Sequence, residues 1–95
     1  MPRYLVERSF PDGFRLPSDG EGVQRYRDVV ERNADYEVTW LHSYVSDDRT
    51  RAFCVYDGPS PEAIRKTAAR NGLTVDRITP VRVLDPFFYP DDWRS

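Results

Sequence analysis

The stretch WLHSYVSDDRTRAFCVY, from Trp40 to Tyr56, limits the possible folds more than any other part of this chain. It reads as two β-strands joined by a polar turn. Strand side chains alternate, so Trp40, His42 and Tyr44 share one face of the first strand and Leu41, Ser43 and Val45 the other. Ser46-Asp47-Asp48-Arg49-Thr50 has turn chemistry. In the second strand Ala52, Cys54 and Tyr56 share one face, and Phe53 and Val55 the other. The register depends on the loop. A three-residue loop sets His42 opposite Cys54, so the single histidine faces the single cysteine. A two- or four-residue loop shifts the pairing by one and puts them on opposite faces.

The flanking segments complete a pattern. Arg3 to Phe10 reads as a strand ended by Pro11-Asp12-Gly13. Pro17-Ser18-Asp19-Gly20-Glu21 reads as a helix start, with Ser18 and Glu21 at capping-box spacing and Asp19 as the other candidate cap. The helix runs from Glu21 to Asn33, with Val23, Tyr26, Val30 and Ala34 as its apolar stripe and Val29 at the edge. The hairpin strands span Tyr36–Ser46 and Arg51–Asp57. Ser60 then caps a second helix with Pro61 at its first position and Glu62 in its first turn. Ala63, Ile64, Thr67 and Ala68 make its flat apolar stripe, and Asn71-Gly72 ends it. A last strand spans Asp76–Asp85. Pro80 confines it to a sheet edge or a bulge, because proline cannot donate to a ladder.

The order β-α-β-β-α-β is that of a ferredoxin-like α+β sandwich, a four-stranded antiparallel sheet with both helices on one face. Residues 1–85 form this domain, with Arg3–Phe10 and Arg51–Asp57 as central strands. Residues 86–95 form an aromatic extension, and Phe87, Phe88, Tyr89 and Trp93 are expected to pack on the domain or on a partner subunit. Leu41, Val45, Phe53 and Val55 suit the helix-covered face. That leaves Trp40, His42, Tyr44, Cys54 and Tyr56 for the open face. A bare face with so many aromatics calls for a cover, either the tail or a second subunit, and a homodimer is expected.

Composition excludes several classes. The net charge is -2 with acids and bases interspersed, unlike the basic face of a nucleic-acid binder. One cysteine makes no internal disulfide. No apolar run approaches the roughly 20 residues that span a bilayer. MPRYLVERSF lacks a signal-peptide core, so a cytoplasmic location is expected. The aromatic share, 14%, is high for so short a chain and suggests a ligand pocket or a subunit interface.

MPRYLVER, TWLHSYVSDDRTRAFCVYDGPSPEAIRKTAARNGL and VDRITPV together resemble a family of small bacterial proteins. It is a domain of unknown function that includes a nickel-binding protein. The most specific piece is Phe53-Cys54-Val55-Tyr56-Asp57-Gly58-Pro59-Ser60-Pro61-Glu62-Ala63-Ile64-Arg65. The resemblance implies a dimeric ferredoxin-like fold and, in some members, Ni²⁺ binding. The metal-binding branch has Asp-x-His in its first strand and histidines in its second helix. This chain has Val6-Glu7-Arg8-Ser9 and Arg65-Lys66-Thr67-Ala68-Ala69-Arg70 there.

The candidate metal ligands are His42 and Cys54, with Glu7 from a neighbouring strand. Imidazole and thiolate suit Ni²⁺ or another borderline-soft divalent ion, and a dimer or water must complete the set. Free cysteine is also among the most buried residue types, which makes a core role for Cys54 the competing reading. The same pair as nucleophile and base lacks a visible orienting group. Trp40, Tyr44 and Tyr56, with Glu7 and Arg8 near by, read as the lining of a small-molecule pocket. That pocket would suit a binding protein or a cofactor-free enzyme acting on a small organic molecule. The remaining alternative is an interaction module without chemistry. Ser60 is a helix cap rather than a catalytic serine, and no phosphate-binding glycine loop or CxxC pair appears.

Overall fold

The computed structural model describes residues 1–14 and 20–87. Its elements are β1 (Arg3–Ser9), α1 (Gly20–Ala34), β2 (Thr39–Val45), β3 (Arg51–Asp57), α2 (Pro61–Arg70) and β4 (Arg77–Val81). The strands form one antiparallel sheet in the order β2-β3-β1-β4. The two central strands are therefore those expected. Pro80 lies on the edge strand β4, opposite Tyr4, where a missing N–H costs the sheet least.

Alternation along β1 and β3 sorts the residues into two faces. Tyr4, Val6 and Arg8 of β1 and Ala52, Cys54 and Tyr56 of β3 are all buried, while the residues between them are not. Ile64 of α2 and Val38, just before β2, join the apolar members of that set in one core. This is the helix-covered face. Val6 and Ile64, both fully buried, sit at its centre.

The second helix begins and ends as its sequence requires. The Ala63 N–H donates to the Ser60 side-chain oxygen at 3.2 Å, Pro61 fills the first turn, and Ile64, Thr67 and Ala68 are buried. At the other end Gly72 takes a φ of 69°, left-handed and strained for any residue with a Cβ. The Leu73 N–H then reaches the Ala68 carbonyl at 2.8 Å, and the Gly72 N–H the Ala69 carbonyl at 3.1 Å, satisfying groups the helix leaves orphaned.

The first helix differs from expectation. Its inward row is Gly22, Tyr26, Val29 and Asn33, whereas Val23, Val30 and Ala34 are exposed. The row has helical spacing but is rotated by one residue for most of its length. Tyr26 sets the rotation, because its ring stacks on Trp40 of β2 with centroids 5.6 Å apart. The capping roles of Ser18 and Asp19, and that of the Glu21 side chain, lie outside the described residues.

The last strand ends at Val81, four residues earlier than expected. Val83, Leu84 and Phe87 beyond it are exposed, Phe87 to 95%. Phe87 therefore does not pack on its own chain. The expected burial of Phe88, Tyr89 and Trp93 lies outside the described residues.

Candidate functional site

The hairpin loop decides which candidate residues meet. The Ser46 N–H donates to the Arg51 carbonyl at 2.9 Å, which leaves four residues, Asp47 to Thr50, between them. Asp48 ties this loop. Its carboxylate accepts from the Thr50 hydroxyl at 2.7 Å, the Thr50 N–H at 3.0 Å and the Ser46 hydroxyl at 2.7 Å. These bonds, those from Thr50 foremost, lower the Asp48 pKa to about 2. Arg49 takes a left-handed φ of 62° to close the turn.

With a four-residue loop, Val45 pairs with Ala52, Ser43 with Cys54 and His42 with Val55. His42 and Cys54 are therefore on opposite faces of the sheet. A bulge at Leu41 then changes the register, and Trp40 pairs with Tyr56. The extra residue explains why Trp40 and His42, two apart in sequence, point to opposite faces. The expectation that Trp40, His42, Tyr44, Cys54 and Tyr56 share the open face is corrected accordingly. Trp40, Cys54 and Tyr56 lie on the helix-covered face, and Phe53 and Val55 on the open one. Val45 is on the helix-covered face, as expected. The alternation holds along β3 and from His42 to Val45 of β2 but breaks at the Leu41 bulge, and β3 is turned over, with its smallest side chains, Ala52 and Cys54, beneath the helices.

The open face holds His42 and Tyr44 at one edge. Their rings meet edge to face with centroids 5.2 Å apart, and Tyr44 is 64% exposed. Leu5, Phe53, Val55 and Val81 continue the face, each partly buried. The Arg51 guanidinium lies over the Phe53 ring, 5.2 Å from its centroid. Glu7 lies one strand further across than Phe53. Its carboxylate faces Arg51 at 3.2 Å and Arg77 at 4.0 Å. At the far end Arg3 donates to Asp57 through two nitrogens, at 2.9 and 3.3 Å.

This arrangement does not fit a nickel site contained in one chain. Cys54 is 7% exposed in the core, and Glu7 is held by two arginines. Among the described residues no three His, Cys, Asp or Glu side chains gather as a metal-binding group. His42 alone of the three candidates is both exposed and free to approach a ligand on the open face.

The aromatic trio is divided in the same way. Trp40 and Tyr56 are cross-strand neighbours under the helices, and the Trp40 indole N–H donates to the Ser43 hydroxyl at 2.9 Å. Tyr44 is on the other side of the sheet. Burial pushes the Tyr56 phenol upward in pKa, against the smaller opposing pull of the nearby Arg8 charge.

Two buried polar side chains stand out that the sequence did not assign to the core, Arg8 and Asn33. Asn33 accepts from the Asn71 side chain at 3.2 Å, and its carbonyl accepts from the Val38 N–H at 3.0 Å, tying the end of α1 to α2 and to β2. Its signal in the sequence is the spacing of Tyr26, Val29 and Asn33, which the more apolar row one residue along obscures. Arg8 falls on the inward phase of the β1 alternation, two residues after Val6.

The fold has a counterpart among solved structures. The crystal structure of SCO4226 from Streptomyces coelicolor A3(2) superposes with a TM-score of 0.69 at 18% sequence identity, covering 87% of this chain and 99% of that one. No curated protein matches the chain significantly. A family model described as nickel responsive protein SCO4226-like matches residues 4–81. Most of the sequence lies within that match, and the chain belongs to the SCO4226-like family of nickel responsive proteins.

Proposed function

We propose that this chain is a small cytoplasmic protein that binds a divalent metal, with nickel the favoured ion, and works as a homodimer joined through the open sheet face. The family's description supports a metal-related role. The position of His42 carries the proposal: it is exposed on the open face at the edge strand, beside Tyr44. A two-fold interface presents every residue twice, so a second copy supplies donors that one chain lacks. Leu5, Phe53 and Val55 give that interface an apolar centre, and the Arg3–Asp57 and Glu7–Arg51 pairs give it a polar rim. The exposed Val83, Leu84 and Phe87 extend it, with residues 86–95 packing on the partner. In this reading Cys54 serves the core and Glu7 the rim.

Calorimetric titration of tag-free protein with Ni²⁺ tests the reading. Saturable binding below roughly 100 μM is expected. His42→Ala should weaken it by at least about tenfold, the loss of one ligand, and Cys54→Ser should leave it unchanged. Absence of saturable binding, or indifference to His42→Ala, would end the proposal.

A further inference from the structure

A cleft of about 460 Å³ opens where β4 runs out past the start of β1. Pro2, Arg3, Pro80, Val81, Arg82 and Val83 line it, among others. Its side chains are apolar apart from the two arginines. Arg3 is bonded to Asp57 at 2.9 Å, at the edge of the open face. Val83, on the rim of the cleft, is 45% exposed, and Leu84 next to it 65%. These apolar side chains have too little cover for the end of a sheet.

The chain then reverses. The Phe87 N–H donates to the Asp85 carboxylate at 2.9 Å, and Pro86 and Phe87 form a turn. Aspartate in the first position and proline in the second suit a type I turn. The described residues end at Phe87, and Phe88-Tyr89-Pro90-Asp91-Asp92-Trp93-Arg94-Ser95 follow. A turn centred on Pro86 and Phe87 sets the register of an extended segment beyond it. Tyr89 comes level with Leu84, Asp91 with Arg82, and Trp93 with Pro80. The register therefore matches an aromatic ring with an exposed leucine, a carboxylate with a guanidinium, and an indole with a proline ring.

We propose that residues 88–95 fold back on their own chain and close this cleft, with Asp91 paired to Arg82 and Trp93 laid on Pro80. Burial of Tyr89 and Trp93 against Leu84 and the prolines drives the docking, because large aromatic side chains dominate such contacts. The ion pair selects the register more than it adds stability, since exposed pairs contribute little. The returning segment also covers β4, an edge strand that otherwise stays open to pairing with other chains. Continued alternation carries Phe88 and Pro90 to the side of Val83, and through them the tail reaches the partner subunit proposed above. The seat itself lies within one chain and depends on neither the dimer nor the metal.

Cysteine pairs in the full chain test the register. Arg82→Cys with Asp91→Cys should form a disulfide within the chain under mild oxidation, because facing strand positions meet the required geometry. Arg82→Cys with Pro90→Cys, or with Asp92→Cys, is slipped by one residue onto the other side and should not close. Cys54 stays in place, buried and out of reach. The unaltered chain supplies a second measurement, in which nuclear Overhauser contacts should join the Trp93 indole to the Pro80 ring. The proposal is overturned if the 82–91 pair closes no faster than the slipped pairs. It is equally overturned if the product is a covalent dimer at every dilution, which would seat the tail on a partner. Should the cysteine variants fail to fold, the unaltered chain decides: no contact between Trp93 and Pro80 rejects the seat.

Discussion

Ser43 stands directly opposite Cys54 across the β2–β3 ladder. The pairing fixes two things together. It places the thiol in the layer between sheet and helices, with Tyr4, Val6 and Ile64 in the same core. It also places His42, one residue before Ser43, on the face without helices. A soft ligand and an imidazole that adjoin in the sequence of strands thus serve different sides of the molecule.

Burial should make Cys54 inert. A chromogenic thiol reagent should modify the native protein only as fast as the core opens, and the denatured protein at once. Cys54→Ser puts a hydroxyl in a site built for sulfur. It should cost about 1–3 kcal/mol in chemical denaturation. Rapid labelling of the native state would place the thiol at the surface.

Ile64 is fully buried and contacts the sheet from α2. Ile64→Ala should destabilise the fold by about 2–5 kcal/mol, measured by the shift of the denaturant midpoint at unchanged slope. Glu62→Gln, on the exposed side of the same helix, should change little beyond the small favourable effect of an acid near the N-terminus.

The hairpin turn should respond to acid through Asp48. Its folded pKa lies below the ordinary value of 3.8, at about 2, because hydrogen bonds from Thr50 and Ser46 favour the carboxylate. The depressed value means that its contribution to stability is present at neutral pH. That contribution fades as pH falls from the unfolded pKa through the folded one. Asp48→Asn should lower the melting temperature slightly near neutrality, and the gap to wild type should close toward about pH 2. A gap independent of pH would show that the turn does not use the charge.

The open face should hold two copies together. Light scattering across a dilution series is expected to give twice the chain mass at micromolar concentration. Phe53→Asp should yield a monomer with an unchanged circular dichroism spectrum, since Phe53 lies on the face away from the helices. A monomeric wild type would remove the interface.

Much of this was legible in the residues. Ser60, Pro61 and Gly72 mark the ends of α2 through local hydrogen bonds and backbone freedom, and local rules read them well. Pro80 announces an edge strand for a similarly local reason. The faces of β3 were not legible. Alternation separates Cys54 and Tyr56 from Phe53 and Val55 but cannot say which set the helices cover. The larger, more apolar pair suggested the core, yet the helices lie on Ala52 and Cys54. The bulge at Leu41 was also invisible, because nothing in Trp40-Leu41-His42 departs from alternation. The rotation of α1 depends on one contact with β2, Tyr26 on Trp40, which no pattern within the helix contains.

The ultraviolet–visible spectrum of the tag-free protein loaded with Ni²⁺ tests the separation of His42 from Cys54 most directly. A thiolate bound to nickel gives an intense sulfur-to-metal charge-transfer band, whereas imidazole and oxygen ligands do not. The account predicts a spectrum without that band, identical for wild type and Cys54→Ser, and loss of bound metal in His42→Ala. A strong band in the wild type that disappears in Cys54→Ser would contradict it, because the thiol would then share a metal with the open face.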